Sequence, residues 1–123
     1  MDLSMGDMMR LQKDLYAIHE GKWSAMEPEY GKDFILYTVE EIGEVIAILK
    51  KKGERAVMDD PTVRAAFLEE MADVLMYFHD TLLRFHVTPE EISQAYLEKH
   101  DRNMGRDYNS EYKSMYQEKK ANG

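Results

Sequence analysis

Two short acidic segments, Glu40-Glu41-Ile42-Gly43-Glu44 and Glu69-Glu70-Met71-Ala72-Asp73, each lie inside an otherwise apolar run. On a helix, side chains three residues apart project from the same side, about 5–6 Å from one another. Glu41 with Glu44, and Glu70 with Asp73, therefore each form a pincer of carboxylate oxygens. Two such pincers facing each other suit a hard cation. Magnesium takes oxygen ligands, keeps several waters and commonly works together with substrate phosphates. The pattern points to phosphate chemistry.

Taken singly, either pair is also what an ordinary solvated helix surface carries, and short motifs of this kind are weak. Together they are harder to leave in water. No Lys or Arg stands four residues from Glu41, Glu44, Glu70 or Asp73 to neutralise them. Packing four uncompensated carboxylates would cost on the order of several kcal/mol, because like charges and desolvation both oppose ionisation. A di-iron carboxylate centre would require Glu-x-x-His motifs. None of His19, His79, His86 or His100 has a Glu three residues before it. An all-oxygen shell remains, which favours magnesium, with manganese as a substitute. Further on, Lys99, Asn103 and Arg106 recur at i, i+4 and i+7, so they share a helix face. Lys supplies a point charge, Arg a bidentate fork for phosphate, and Asn a neutral donor. The same three residues could equally close an ordinary charged helix end.

The elements that must position these groups are helices. Prolines occur only at positions 28, 61 and 89, where helices can begin because the first helical N–H needs no partner. Asp60 before Pro61 reads as an N-cap, and Thr88-Pro89-Glu90-Glu91 as a capping box. Lys50-Lys51-Lys52-Gly53 ends a helix with positive charge and a glycine. Helices are expected over 5–21, 28–52, 61–86 and 89–104, with 53–60 a connecting loop. In the second helix, Ile35, Val39, Ile42, Val45, Ile46 and Leu49 form the expected core stripe. Tyr37, Glu41, Glu44 and Ile48 lie opposite, on a side expected to be partly covered as well. The third helix is apolar over most of its circumference, through Val63, Phe67, Met71, Val74, Phe78 and Phe85 and the flanking Leu68, Leu75, Met76 and Leu83. Its remaining strip carries Glu69, Glu70, Asp73, Tyr77 and Asp80. The expected fold is an all-α bundle of four to five helices. Residues 1–108 form one domain, and 109–123 a polar tail or short extra helix. So much apolar helix surface in so short a chain implies a homodimer or homotetramer.

The chain has 123 residues, no cysteine and a formal net charge of −8. That balance argues against binding nucleic-acid polymers, which depends on clustered Lys and Arg. A small polyphosphate that brings its own cations is a different case, since a metal ion inverts the local field. The amino-terminal residues lack the basic and apolar regions of a secretion signal, and no charge-free run reaches membrane-spanning length. A cytoplasmic protein without membrane contact is expected.

The order Glu41-x-x-Glu44, Glu70-x-x-Asp73, Lys99-x-x-x-Asn103-x-x-Arg106 resembles the MazG-like branch of the all-α nucleoside triphosphate pyrophosphohydrolases. That superfamily also includes dimeric dUTPases, dCTP pyrophosphatases and phosphoribosyl-ATP pyrophosphohydrolases. The resemblance spans roughly residues 20–108. It implies magnesium-dependent cleavage of an NTP or dNTP between the α and β phosphates, in the service of cleansing the nucleotide pool. Glu41, Glu44, Glu70 and Asp73 would be metal ligands, with Glu41 or Glu44 also accepting the proton of the attacking water. Lys99, Asn103 and Arg106 would hold phosphates. Tyr77, one turn beyond Asp73, and Trp23, the single tryptophan, correspond to nucleotide or base contacts. Each is also a plausible packing aromatic. Two alternatives stand beside this reading: a phosphoribosyl-ATP pyrophosphohydrolase, and a non-catalytic helical interaction module stabilised by metal.

Overall fold

The computed structural model describes residues 1–105, in which regular structure is helical apart from one isolated bridge between Glu20 and Trp23. The helices are α1 (Met5–Ile18), α2 (Gly31–Lys52), α3 (Glu54–Asp59), α4 (Pro61–Arg84) and α5 (Pro89–Met104), with a 3-10 turn at Pro28–Tyr30 leading into α2. The chain divides into two compact units, Met1–Pro89 and Glu90–Gly123. Arg106 and the expected tail at 109–123 lie outside the described residues.

Local chemistry sets most of the boundaries. The Ser4 hydroxyl accepts from the Asp7 N–H while the Ser4 N–H donates to the Asp7 carboxylate, a reciprocal cap that starts α1. The Asp60 carboxylate accepts from the N–H groups of Thr62 and Val63 and starts α4, as its position before Pro61 leads one to expect. Gly53 closes α2 at φ 85° and ψ 158°, a conformation that effectively requires glycine. The segment read as a loop, 53–60, is corrected to a short helix. Gly53 re-aims the chain, Val57 is buried, and Asp60 is driven into extended backbone by the following proline. One and a half turns are too short for a periodic pattern to reveal.

Within the first unit, α2 packs chiefly on α4, α1 and α3 lie against α4, and α3 also meets α2. Here the expected core stripe of α2 needs correction. Val45 is buried, but Val39 is 60% exposed and Ile35, Ile42 and Ile46 are exposed as well. The covered face runs through Gly31, Phe34, Thr38, Glu41, Val45 and Ile48, so the side carrying Glu41 is the one turned inward. Thr38 can be buried because its hydroxyl donates to the Phe34 carbonyl. On α4, Leu68, Met71, Leu75 and Met76 are exposed too. Among the described residues these faces of α2 and α4 are left exposed.

The second unit contains α5, whose first turn carries Glu90 and Glu91 and whose last turn carries Arg102. Both charge placements complement the helix dipole. Among all described residues, no helix is long and apolar enough to cross a membrane.

Candidate metal and nucleotide site

Glu41 sits at the middle of the inward face of α2, and Glu70 and Asp73 occupy successive turns of α4. The packing of these two helices brings oxygens of all three carboxylates within 4.8 Å of one another. All three side chains are half-buried. Among the described residues none of them is ion-paired: the salt bridges found are Arg10 with Asp7, Arg55 with Asp59, Arg84 with Asp80 and His86 with Glu27. The electrostatic strain shows at Glu41. Burial, a hydrogen bond with Glu70 and the charges of Asp73, Glu70 and Glu44 raise its carboxyl above the usual carboxylate range. Glu44 is exposed and is not one of the three, although it is close enough for its charge to act on Glu41.

The donor set is wholly oxygen, half-sheltered and short of positive charge. Those properties fit a hard divalent cation that retains waters and takes further ligands from phosphate, and they do not fit zinc or iron, which favour nitrogen or sulfur. Magnesium held by Glu41, Glu70 and Asp73 is chemically consistent with the residues present.

Asp73 also lines a cleft of about 420 Å³ whose other walls include Trp23, Ser24, Phe34, Tyr37 and Tyr77. The aromatic side chains form a connected group. Phe34 and Tyr37 meet edge to face at 5.2 Å, and Tyr37 and Tyr77 likewise at 5.8 Å. Trp23 stacks on His19 with ring centroids 4.2 Å apart. The Tyr77 phenol is pushed above its usual range by burial, then by the charges of Glu41 and Asp73. It therefore remains a neutral O–H donor beside the acids. A pocket with flat apolar walls and carboxylates at one side has the shape and chemistry for a heterocycle joined to a charged group.

Of the residues singled out by sequence, Glu41, Glu70 and Asp73 thus converge, and Trp23 and Tyr77 share a cleft with Asp73. Lys99 is exposed and Asn103 half-buried on α5, in the second unit. Arg106 lies outside the described residues. Gln12, Ser24 and Phe34 line the cleft without having been singled out by sequence, and Tyr37 and Asp80, named by sequence only for their helix faces, line it too. Asp80 is 1% exposed and pairs with Arg84, which is fully buried. Their i,i+4 spacing inside an apolar helix was the available signal, but that spacing is equally common on helix surfaces.

Compared with family models, curated proteins and solved structures, the chain matches none of them.

Proposed function

We propose that this chain is a magnesium-dependent nucleoside triphosphate pyrophosphohydrolase, converting an NTP or dNTP to the monophosphate and pyrophosphate. One observation carries the reading: three carboxylates from two helices, none of them ion-paired among the described residues, converge, and one of them, Asp73, also lines an aromatic-walled cleft. Aromatic walls suit the base, and a cation held by the acids suits the triphosphate. The resemblance in motif order adds the class of reaction.

Bound magnesium would neutralise the phosphates and acidify a coordinated water. The chain's own groups supply the rest. Glu41, Glu70 and Asp73 fix where the polyphosphate lies relative to the cleft. Glu44 stands outside the trio yet beside Glu41, and it is the carboxylate left to accept the proton of the attacking water. The water oxygen bonds to the α phosphorus as the bond to the bridging oxygen breaks, and pyrophosphate leaves. Tyr77, kept protonated, donates a hydrogen bond to a phosphate or sugar oxygen. The motif resemblance implies phosphate-holding roles for Lys99, Asn103 and Arg106, in a reaction where positioning and charge dominate the transition state. The exposed apolar faces of α2 and α4 support a homo-oligomer.

The test is pyrophosphate release with magnesium from standard and modified NTPs and dNTPs and from phosphoribosyl-ATP. We expect release from at least one nucleoside triphosphate. Glu44→Gln and Asp73→Asn should each lower it by about 10²-fold or more with helicity unchanged. Preference for phosphoribosyl-ATP would move the assignment within the superfamily. No release from any nucleotide, with the acids intact, would contradict this reading and favour the non-catalytic module.

A further inference from the structure

The deepest polar cluster in the first unit is built from Arg84, Asp80 and Gln12. Arg84 is fully buried and its Nε–H donates to an oxygen of Asp80, while the other Asp80 oxygen accepts from the Gln12 side-chain amide at 3.1 Å. Nη1 of Arg84 is spent on a loop, whereas its buried Nη2 has no hydrogen-bond partner among the described residues. Its Nη1 donates to the carbonyl of Ser24 at 3.0 Å, to the Ser24 hydroxyl at 3.3 Å, and to the carbonyl of Ala25. Its Cζ lies 3.5 Å from the centroid of the Phe34 ring. One guanidinium thus ties α4 to a wall of the cleft, to α1 through Asp80, and to the two residues that directly follow Trp23.

Apart from the Arg84 bonds, the loop is held by the stack of Trp23 on His19, the bridge between Glu20 and Trp23 and the pair of Glu27 with His86. Between Ile18 and Pro28 no helix forms, Gly21 takes φ 88°, and the Lys22 and Trp23 N–H groups bond only as far as the His19 carbonyl. Trp23 itself is 36% exposed. A buried ion pair is no better for stability than apolar side chains of similar volume, so its distinctive contribution is geometric. The planar guanidinium bonds Asp80 through Nε and the two loop carbonyls through Nη1 at the same time, a rigid two-sided geometry that the single ammonium of a lysine does not reproduce.

We infer that Arg84, anchored by Asp80, is a positioning residue that holds the Trp23 loop as a pre-formed wall of the cleft, so that a nucleoside triphosphate base meets an ordered stacking face. The base contact rests on the proposed nucleotide function; the restraint on Trp23 does not. With the wall ordered beforehand, binding does not have to supply the ordering entropy.

Trp23 is the single tryptophan, so its emission reports this loop without a label. The unsubstituted chain should show slow, whole-molecule anisotropy decay at Trp23 and intermediate quenching by acrylamide, in keeping with its partial exposure. Arg84→Lys keeps the charge but not the fork. The double variant Asp80→Leu with Arg84→Met removes the pair without stranding a buried charge, and so preserves the fold. In both, quenching should rise about threefold, and KM for the best-hydrolysed triphosphate should rise about tenfold while kcat changes by less than about threefold. Fast local decay at Trp23 in the unsubstituted chain overturns the inference. So does an unchanged Trp23 in a folded variant, or a loss confined to kcat. Failure of the nucleotide reading is separately visible, as absence of turnover before any substitution.

Discussion

At the scale of single residues, charge and burial oppose each other at two places with different outcomes. At the acidic trio, three half-buried carboxylates crowd together, and Glu41 answers by holding its proton more tightly. At His79, 2% exposed with Nε2 3.0 Å from the Met5 sulfur, burial holds the imidazole below its usual range. The unfolded chain then takes up the proton first, at about pH 6.5. Stability from this group is therefore complete above that pH, falls as the pH drops through it, and levels off beneath the folded value. Urea midpoints should decline from about pH 7.5 to 5.5, and His79→Leu should flatten the decline. A profile unaltered by His79→Leu would contradict this. The acids were legible in the sequence because carboxylates at helical spacing without neutralising partners are chemically conspicuous. Arg84 and Asp80 were not, because an i,i+4 pair looks the same whether water or protein surrounds it. Only the packing of α1 and the Trp23 loop over α4 distinguishes the two.

At the scale of elements, starts and stops were legible and faces were not. Proline, Asp60 and Gly53 act through their own backbone chemistry, so their effects could be read locally. Which side of α2 turns inward depends on what α4 offers, and α4 is apolar nearly all round. Periodicity then selected Ile35, Val39, Ile42 and Ile46, whereas the helix buries the side of Phe34, Thr38, Glu41 and Val45. That rotation is what delivers Glu41 to Glu70 and Asp73. Gly53 matters to the same arrangement because it turns the chain from α2 into α3 and so toward α4. A Cβ added there meets no atom within 4 Å, which leaves backbone strain as the cost. Gly53→Ala should destabilise the protein by about 1–3 kcal/mol, read as a lower urea midpoint. An unchanged midpoint would show that the junction tolerates another conformation.

At the scale of the whole molecule, the exposed apolar faces of α2 and α4 are the chief departure from a self-sufficient bundle. Exposed apolar side chains in this number are in keeping with the proposed homo-oligomer. Light scattering at micromolar concentration should give at least twice the mass of one chain, and Val39→Lys combined with Ile46→Lys should reduce it to one. A single-chain mass for the unsubstituted protein would contradict association. The central claim, though, concerns the cation and the polyphosphate it carries. Its most direct test is a crystal grown with manganese and a non-hydrolysable nucleoside triphosphate analogue, examined by anomalous scattering. The account predicts manganese within coordination distance of Glu41, Glu70 and Asp73, bridging to the phosphates, with the base in the cleft beside Trp23. Clear density for the protein with no anomalous signal at those three carboxylates would contradict it.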